Sequence, residues 1–184
     1  MGYFPLCIDL TGKRVLLVGA GEQIRDKADK LRPFAPDLRF KTDITDEDLQ
    51  TDPAIVIVGD MGYHDAQRIS ALCIRRNIPV NVVDVPQLCT FFFPSLIIRG
   101  DLTVSVSTNG TSPAAAAYLR RKIESQIPDR TEEILQWLSD RRSQLREAGV
   151  LKTAAAMAFE KNRPLSESEC SALSVFAKSG NIEV

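Results

Sequence analysis

Two glycines that follow a strand pattern are the first feature that could serve a chemical function, because they can form a ligand-binding turn. The apolar run from Arg14 to Val18 has the length of a strand, and a glycine-alanine-glycine turn and a helix pattern follow it directly. In this order the first glycine permits a tight turn, the second lets the backbone approach a pyrophosphate, and the amides of the helix start stabilise its negative charge. The pattern therefore predicts a dinucleotide-binding turn formed by Gly19, Ala20, Gly21, Glu22 and Gln23.

One residue of this turn departs from the usual pattern. The third position of the dinucleotide fingerprint normally carries a small residue, which allows close contact between helix and strand, but here it is Ile24. The departure weakens the prediction of a cofactor site without removing it. The alternative is a plain connection between a strand and a helix that binds nothing.

An acidic residue follows the second strand pattern. Residues 37–42 alternate between polar and apolar, which indicates a strand, and Asp43 comes directly after them. An acidic residue about 20 positions beyond the glycines is placed to accept hydrogen bonds from the adenosine ribose hydroxyls. Asp43 and the adjacent Ile44 are therefore predicted to contact the cofactor. The alternative is that Asp43 merely caps the loop that follows it.

A second carboxylate follows the third strand pattern, Ala54 to Val58. Ligands of open α/β sheets bind beyond the carboxyl ends of the strands, so Asp60 is placed where a reaction would occur. A carboxylate at this position can take part in proton transfer. The alternative is that Asp60 caps the helix expected over about residues 65 to 76. His64 lies at the same loop-to-helix junction, where a capping or surface role is the usual one, and no metal site is predicted.

The segment from Asn81 to Glu124 contains many residues that interrupt or begin regular secondary structure. Two prolines interrupt it, and the run of residues 91–93, all phenylalanine, needs a core or a partner subunit to cover it. Residues 102–107 alternate as a strand with one apolar face and one hydroxyl-bearing face. Ser112 then offers an N-cap, and the proline after it suits the first turn of a helix.

This segment resembles the siroheme synthase family of precorrin-2 dehydrogenases and sirohydrochlorin ferrochelatases. In that family a block of the form NVVDxPxLCxFxFPSxxxRGxLTVxxSTxGxSP, followed by a helix reading LRxKIE, links the dinucleotide-binding domain to the dimerisation domain. Residues 3–6, 8–10 and 12–15 agree with the family as well. The residues that match the block are Asn81, Val82, Val83, Asp84, Pro86, Leu88, Cys89, Phe91, Phe93, Pro94, Ser95, Arg99, Gly100, Leu102, Thr103, Val104, Ser107, Thr108, Gly110, Ser112, Pro113, Leu119, Arg120, Lys122, Ile123 and Glu124.

The resemblance implies an NAD-binding enzyme that oxidises precorrin-2 to sirohydrochlorin in siroheme biosynthesis. Asp60 matches an aspartate that the family uses in dehydrogenation and in metal insertion, so ferrochelatase activity toward ferrous iron is a second implied activity, which some members lack. The implied substrate is a tetrapyrrole polycarboxylate, which several cations could bind. The residues predicted to bind it are Asn81, Ser112, Arg120 and Arg121. The alternative for the two arginines is a solvated helix face.

The chain is shorter than the family pattern after Asp43. Family members usually carry an additional helix and short strand between the second strand and the strand that ends in the aspartate, and about 20 residues are missing here against an ordinary βαβ unit. Either the sheet has lost a strand, or residues 38–41 form the later strand and the ribose-binding strand is absent. The second alternative would impair NAD binding.

Composition narrows the classes of function. With 184 residues and 44% hydrophobic content, the chain can bury a sizeable core. The chain has 24 acidic residues and 23 Lys and Arg, so it lacks the net positive charge that would attract nucleic acid. Neither a signal peptide nor an apolar run of membrane-spanning length is evident, so a cytoplasmic protein is expected. The widely spaced cysteines are expected to be buried free thiols.

We therefore expect an α/β protein with a Rossmann-like parallel sheet domain, a dimerisation strand region and a small C-terminal helical domain. The expected boundaries are residues 1–98 for the NAD-binding domain, 99–127 for the dimerisation region and 128–184 for the helical domain, in a homodimer. Two other functions stay open. One is a tetrapyrrole-binding carrier without dehydrogenase activity, and the other is a different NAD(P)-dependent reductase that shares the fold alone.

Overall fold

A computed structural model of the protein describes residues 3–178. Residues 1 and 2 and residues 179–184, with which the expected helical domain ends, lie outside the described residues. The chain divides into two compact units, one formed by the residues up to Phe93 together with 109–111, and the other by residues 94–108 and those from Ser112 onward. The expected domain boundaries after residues 98 and 127 stay predictions.

The first unit contains a four-stranded parallel sheet in the order β2-β1-β3-β4. The strands are β1 (Arg14–Val18), β2 (Asp37–Lys41), β3 (Ile55–Val58) and β4 (Val80–Val82). The central strands β1 and β3 are almost entirely buried, as continuous apolar runs in a parallel sheet should be. The register pairs Val18 with both Lys41 and Val58, so the carboxyl ends of the first three strands lie side by side.

Helices cover both faces of this sheet. They are α1 (Glu22–Leu31), α2 (Asp46–Leu49) and α3 (Tyr63–Arg75). Successive residues of β1 alternate between the faces, so that Val15 and Leu17 pack with α1, whereas Leu16 and Val18 pack with α2 and α3. The predicted α/β class with a parallel sheet is confirmed.

The connection between β2 and β3 is short and contains α2 alone. A capping box between Thr45 and Asp48 fixes the start of this helix, and Leu49 anchors it in the core. Strand β2 lies directly beside β1, which is the place of the ribose-binding strand in dinucleotide folds. This arrangement agrees with the first alternative from the sequence, a sheet that is one strand smaller but keeps a strand beside β1.

The three phenylalanines at positions 91–93 are covered within the first unit. Phe91 and Phe93 pack against the core on the α1 side of the sheet. Phe92 makes an edge-to-face contact with Tyr3, with ring centroids 4.8 Å apart. The run therefore has its cover inside the chain and is not evidence for a partner subunit.

The part of the second unit that the structure describes consists of a hairpin and four helices. Strands β5 (Ser95–Arg99) and β6 (Leu102–Val106) pair antiparallel, and the helices are α4 (Pro113–Glu124), α5 (Thr131–Glu147), α6 (Leu151–Glu160) and α7 (Glu167–Lys178). Helices α5, α6 and α7 share a core around Ile134, Leu145 and Ala154. Over residues 3–178, no helix is long and apolar enough to cross a membrane.

The four cysteines, all within the described residues, are free thiols. Cys73 is buried, and burial raises the pKa of its thiol to about 12. Cys89 and Cys170 are half-buried, but Cys7 is exposed. The expectation of buried thiols is therefore wrong for Cys7, because residues 4–9 lie on the surface.

Candidate active site

The glycine turn lies at the carboxyl end of β1 and is held from both neighbouring strands. The Gly19 N–H donates to the Lys41 carbonyl, and the Gly59 N–H donates to the Val18 carbonyl, both at 2.8 Å. Gly19 and Gly21 have φ angles of 96° and 106°, which residues with a Cβ rarely adopt. The turn is therefore a fixed backbone feature that requires glycine at both positions.

The space beside the turn is open. A Cβ built on Gly21 would meet no atom of residues 3–178 within 4 Å. Gly21 is also the N-cap of α1, and among the described residues no side chain caps this helix. The first N–H groups of α1 therefore stay available to a ligand. Open space next to uncapped helix amides fits the pyrophosphate of a dinucleotide.

Ile24 does not close the turn. Its side chain is 2% exposed and lies in the core on the α1 side of the sheet. A Cβ on Gly59 would lie 2.4 Å from Ile24 Cγ1, far inside the separation at which carbon atoms attract. The two residues fit because position 59 has no side chain. The bulky residue at position 24 is thus accommodated by a glycine at the end of β3, and the close contact between helix and strand is kept.

Asp60 lies beside the glycine turn. An isolated antiparallel bridge pairs it with Ala20, and its side chain is exposed. Within the described residues, no hydrogen-bond or ion-pair partner is found for its carboxylate. The alternative of a helix cap is not found, because the N-cap of α3 is Gly62. Asp60 is thus an unpaired carboxylate next to the turn, and its catalytic role stays a prediction.

Asp43 follows β2, and its carboxylate is held from two sides. Asp43 Oδ1 accepts the Ile44 N–H at 2.8 Å and also pairs with the Arg68 guanidinium from α3. Arg68 donates to the Ile44 carbonyl at 3.0 Å. Ile44 as a whole is 0% exposed, so its predicted contact with the cofactor stays a prediction. No sequence pattern indicates Arg68, because the contact joins two elements that are distant in the chain.

Glu22 and Gln23 begin α1 with exposed side chains. Gln23 Nε2 donates at 3.0 Å to Asp84 Oδ2, in the loop after β4. Lys27 lies about one turn further along α1. Burial is the main cause that lowers the pKa of Lys27, while the charge of Asp84 acts in the opposite direction. Asp84 and Lys27 are two polar residues near the start of α1 that the sequence patterns do not indicate as site residues.

Asn81 lies within β4 and is 7% exposed. Its amide donates to the Phe91 carbonyl at 3.0 Å and lies 3.6 Å from Cys89 Sγ. The amide therefore holds the segment that follows β4. Its contact with substrate stays a prediction.

The other predicted substrate-binding residues belong to the second unit and lie on α4 or at its start. Ser112 is the N-cap, and its Oγ accepts a backbone N–H of the first turn at 3.2 Å. Arg120 pairs with Glu124, whereas Arg121 is exposed. Because Glu124 also pairs with Arg99 at 3.0 Å, two cations share one carboxylate. The pairing lowers the positive charge that α4 offers to a polycarboxylate.

The carboxyl edge of the sheet in the first unit has the features of a ligand site. It carries the glycine turn after β1, Asp43 after β2 and Asp60 after β3. This is the edge at which open α/β sheets bind their ligands. In the described part of the chain, no three His, Cys, Asp or Glu residues are grouped to hold a metal ion. The fold and this edge together define an α/β protein of the dinucleotide-binding class.

Comparison with known proteins identifies the family. Residues 36–95 match the family Putative NAD(P)-binding, and residues 99–126 match the family Sirohaem biosynthesis protein central. The siroheme synthase of Thioalkalivibrio sulfidiphilus (strain HL-EbGR7) is 36% identical over 148 residues, which are 70% of this chain and 30% of the relative. That of Psychrobacter sp. (strain PRwf-1) is 33% identical over 166 residues, 79% of this chain and 34% of the relative. The chain thus spans about a third of the length of these curated relatives.

A solved structure of SirC, precorrin-2 dehydrogenase, has the same fold. The TM-score is 0.63 at 16% sequence identity, with 96% of this chain and 100% of that chain covered. The chain is similar to these siroheme synthases over 70% and 79% of its own length, and residues 36–95 match a family of the NAD(P)-binding type. The expected resemblance and the expected α/β fold with C-terminal helices are confirmed.

Proposed function

We propose that this chain is an NAD-dependent dehydrogenase that oxidises precorrin-2 to sirohydrochlorin in siroheme biosynthesis. The observation that carries the proposal is the unpaired Asp60 carboxylate, whose backbone is bridged to Ala20 of the open glycine turn. Similarity to the siroheme synthases supports the tetrapyrrole substrate. The shared fold with a precorrin-2 dehydrogenase supports the reaction.

The glycine turn would hold the cofactor. Gly19 and Gly21 keep side chains out of the space beside the turn, and the uncapped amides of α1 would bind the pyrophosphate. Asp43 would accept hydrogen bonds from the adenosine ribose. A bound nicotinamide dinucleotide supplies the hydride acceptor. The fit of these residues to a dinucleotide rests on the open space at Gly21 and on the exposed Asp43 carboxylate.

Asp60 would act as the base. Oxidation of a carbon–carbon single bond of the macrocycle to a double bond removes one hydride and one proton. Asp60 would take up the proton as the hydride leaves, and its exposed side chain could pass that proton to water. The products are sirohydrochlorin, the reduced cofactor and one proton. If the chain also inserts ferrous iron, the same carboxylate would receive the pyrrole protons.

Arg120, Arg121 and Ser112 on α4, with Asn81 in β4, stay the proposed contacts of the tetrapyrrole. Arg121 supports this proposal best because its side chain is exposed. A guanidinium in this state can bind a substrate carboxylate through paired hydrogen bonds.

We also propose that the chain forms a homodimer in the cytoplasm. The apolar side chains of Tyr118, Leu119 and Ile123 on α4 are 58%, 44% and 38% exposed, which supports a second copy as their cover. Light scattering should give about twice the mass of one chain. A monomeric mass at working concentration would contradict the dimer and leave the dehydrogenase proposal unaffected.

The proposed base is tested with two matched variants. Asp60 and Asp52 are both exposed and flank β3 at opposite ends. We expect Asp60→Asn to lower anaerobic turnover of precorrin-2 with NAD⁺ by about 10²-fold or more, since general-base catalysis contributes 10²–10⁴-fold. Its affinity for NAD⁺ should be unchanged, and Asp52→Asn should keep full turnover. Undiminished turnover of Asp60→Asn would remove Asp60 from the mechanism, and tetrapyrrole binding without NAD⁺ binding would favour the carrier.

A further inference from the structure

The loop after β2 brings a guanidinium to the place where a dinucleotide site reads the adenosine ribose. Strand β2 ends at Lys41, whose carbonyl accepts the Gly19 N–H of the glycine turn at 2.8 Å. Asp43 follows two residues later, and Arg68 reaches it from α3. The acidic residue thus contacts the cation directly and lies two residues from the strand end that holds the turn.

The Asp43 carboxylate retains an oxygen for a ligand. Its two hydrogen bonds, from the Ile44 N–H at 2.8 Å and from Arg68 Nη2 at 2.5 Å, both end on Oδ1. Within residues 3–178, Oδ2 has no partner, and the side chain is 60% exposed. A carboxylate oxygen offers two lone pairs. Asp43 can therefore stay paired with Arg68 and still accept hydrogen bonds from ribose hydroxyls.

Arg68 also retains donors. Its Nη1 donates to the Ile44 carbonyl at 3.0 Å and its Nη2 binds Asp43, while the side chain is 37% exposed. A guanidinium has five N–H donors in a planar fork, which matches a phosphate as well as a carboxylate. Dinucleotide sites that select NAD carry an acidic residue at this place, whereas those that accept NADP have an arginine nearby for the 2′-phosphate. This chain has both side chains in contact.

We propose that Arg68 is a specificity-determining residue of the dinucleotide site. Paired with Asp43, it fixes a carboxylate that accepts the ribose hydroxyls of NAD and repels the 2′-phosphate of NADP. In a variant with an uncharged side chain at position 43, the guanidinium is released from this ion pair and binds the 2′-phosphate. The proposal rests on the proposed function, because it takes the glycine turn to be a dinucleotide site. A purely structural role, in which Arg68 fastens the loop, would affect both dinucleotides equally.

The test is calorimetric titration of the full chain with NAD⁺ and with NADP⁺. We expect the unaltered protein to bind NAD⁺ at least tenfold more tightly than NADP⁺. Asp43→Asn should weaken NAD⁺ binding and tighten NADP⁺ binding, so that the ratio of the two dissociation constants shifts by more than tenfold. The double variant Asp43→Asn with Arg68→Met should lose the gained NADP⁺ affinity, because the phosphate ligand is gone.

A second ion pair between the connection that follows β2 and the region of α3 provides the control. Arg76, after α3, pairs with Asp46 in α2, with similar exposure of both side chains. Asp46→Asn should leave the ratio unchanged. Equal changes for both dinucleotides in Asp43→Asn, a retained NADP⁺ gain in the double variant, or an unaltered protein that prefers NADP⁺ would each overturn the proposal. Absence of binding of either dinucleotide to the unaltered protein would instead refute the proposed function and this proposal with it.

Discussion

Replacement of Gly59 by alanine would probe the contact that sets the geometry of the candidate site. Gly59 joins β3 to Asp60, and its N–H donates to the Val18 carbonyl at 2.8 Å. Its φ angle lies outside the left-handed region, so the backbone can accept alanine there. The cost of Gly59→Ala must therefore come from the contacts of the added methyl group.

The structure gives the size of that cost. The added carbon would lie 2.4 Å from Ile24 Cγ1 and 3.0 Å from Ile24 Cδ1. Isoleucine in a helix has one strongly preferred χ1 rotamer, and Ile24 is 2% exposed, so the side chain has no room to turn aside. Overpacking of this kind costs about 1–3 kcal/mol. In a chain of this size, each kcal/mol lowers Tm by about 2–4 °C.

Urea unfolding of a set of double variants isolates the contact. Ile24→Ala removes both carbons that the methyl group would meet, whereas Ile24→Val removes Cδ1 and leaves a Cγ atom at 2.4 Å. Gly59→Ala should therefore cost little in the Ile24→Ala background and keep most of its cost in the Ile24→Val background. The expected coupling free energy between alanine at the two positions is about 1–3 kcal/mol.

Equal costs of Gly59→Ala in all three backgrounds would refute this reasoning, since the methyl group would then not be meeting Ile24. An unchanged urea midpoint for the single variant would refute it as well. NAD⁺ affinity measured on the same variants adds a functional readout. Because Gly59 directly precedes Asp60 and contacts the turn, Gly59→Ala should weaken NAD⁺ binding, and Ile24→Ala with Gly59→Ala should restore most of it.

Three further outcomes are expected. Gly21→Ala places a side chain at a φ of 106°, so stability should fall by about 1–3 kcal/mol in urea unfolding, and NAD⁺ binding measured by calorimetry should weaken at least tenfold; unchanged affinity would contradict a dinucleotide at the turn. Arg163 holds the pKa of Glu169 well below its ordinary value of about 4.3. The contribution of this ion pair to the free energy of unfolding is therefore fully present above that pH and is lost as the pH falls toward the lowered pKa. Glu169→Gln should flatten the acid limb of Tm against pH, and an unaltered limb would refute this. Iodoacetamide should alkylate Cys7 in the native protein and leave Cys73 unmodified until unfolding, as read by mass spectrometry; early labelling of Cys73 would contradict its burial.

Features with local determinants could be predicted from the sequence. The apolar run from Arg14 to Val18 and the glycines after it define strand, turn and helix within a few residues, and the structure has them in that order. Ser112 caps α4 as its type and the following proline predict. Because the strands are parallel, their carboxyl ends lie at one edge of the sheet. This edge carries Asp43 and Asp60 together with the turn, as the sequence predicts.

Contacts between distant residues could not be predicted. Ile24 alone indicates a weakened cofactor site, and its fit becomes evident only when Gly59 is seen opposite it. Arg68 is one of several basic residues on an amphipathic helix, and no spacing rule brings it to Asp43. In each case the determining contact depends on how helices lie on the sheet.

The exposure of apolar residues was a second property that the sequence alone could not determine. Cys7 lies in an apolar stretch, which favours burial, yet the segment follows the surface. The phenylalanines at 91–93 suggest either a core or a partner, and the structure supplies a core through α1 and Tyr3. A local apolar pattern shows that cover is needed but does not tell which surface provides it.

The most direct measurement is anaerobic incubation of the unaltered chain with precorrin-2 and NAD⁺, with NADH followed by its absorbance. An NAD-dependent dehydrogenase whose glycine turn holds the cofactor beside Asp60 should form one NADH for each sirohydrochlorin. Sirohydrochlorin formed without NADH, or no oxidation by a chain that binds precorrin-2 tightly, would contradict it.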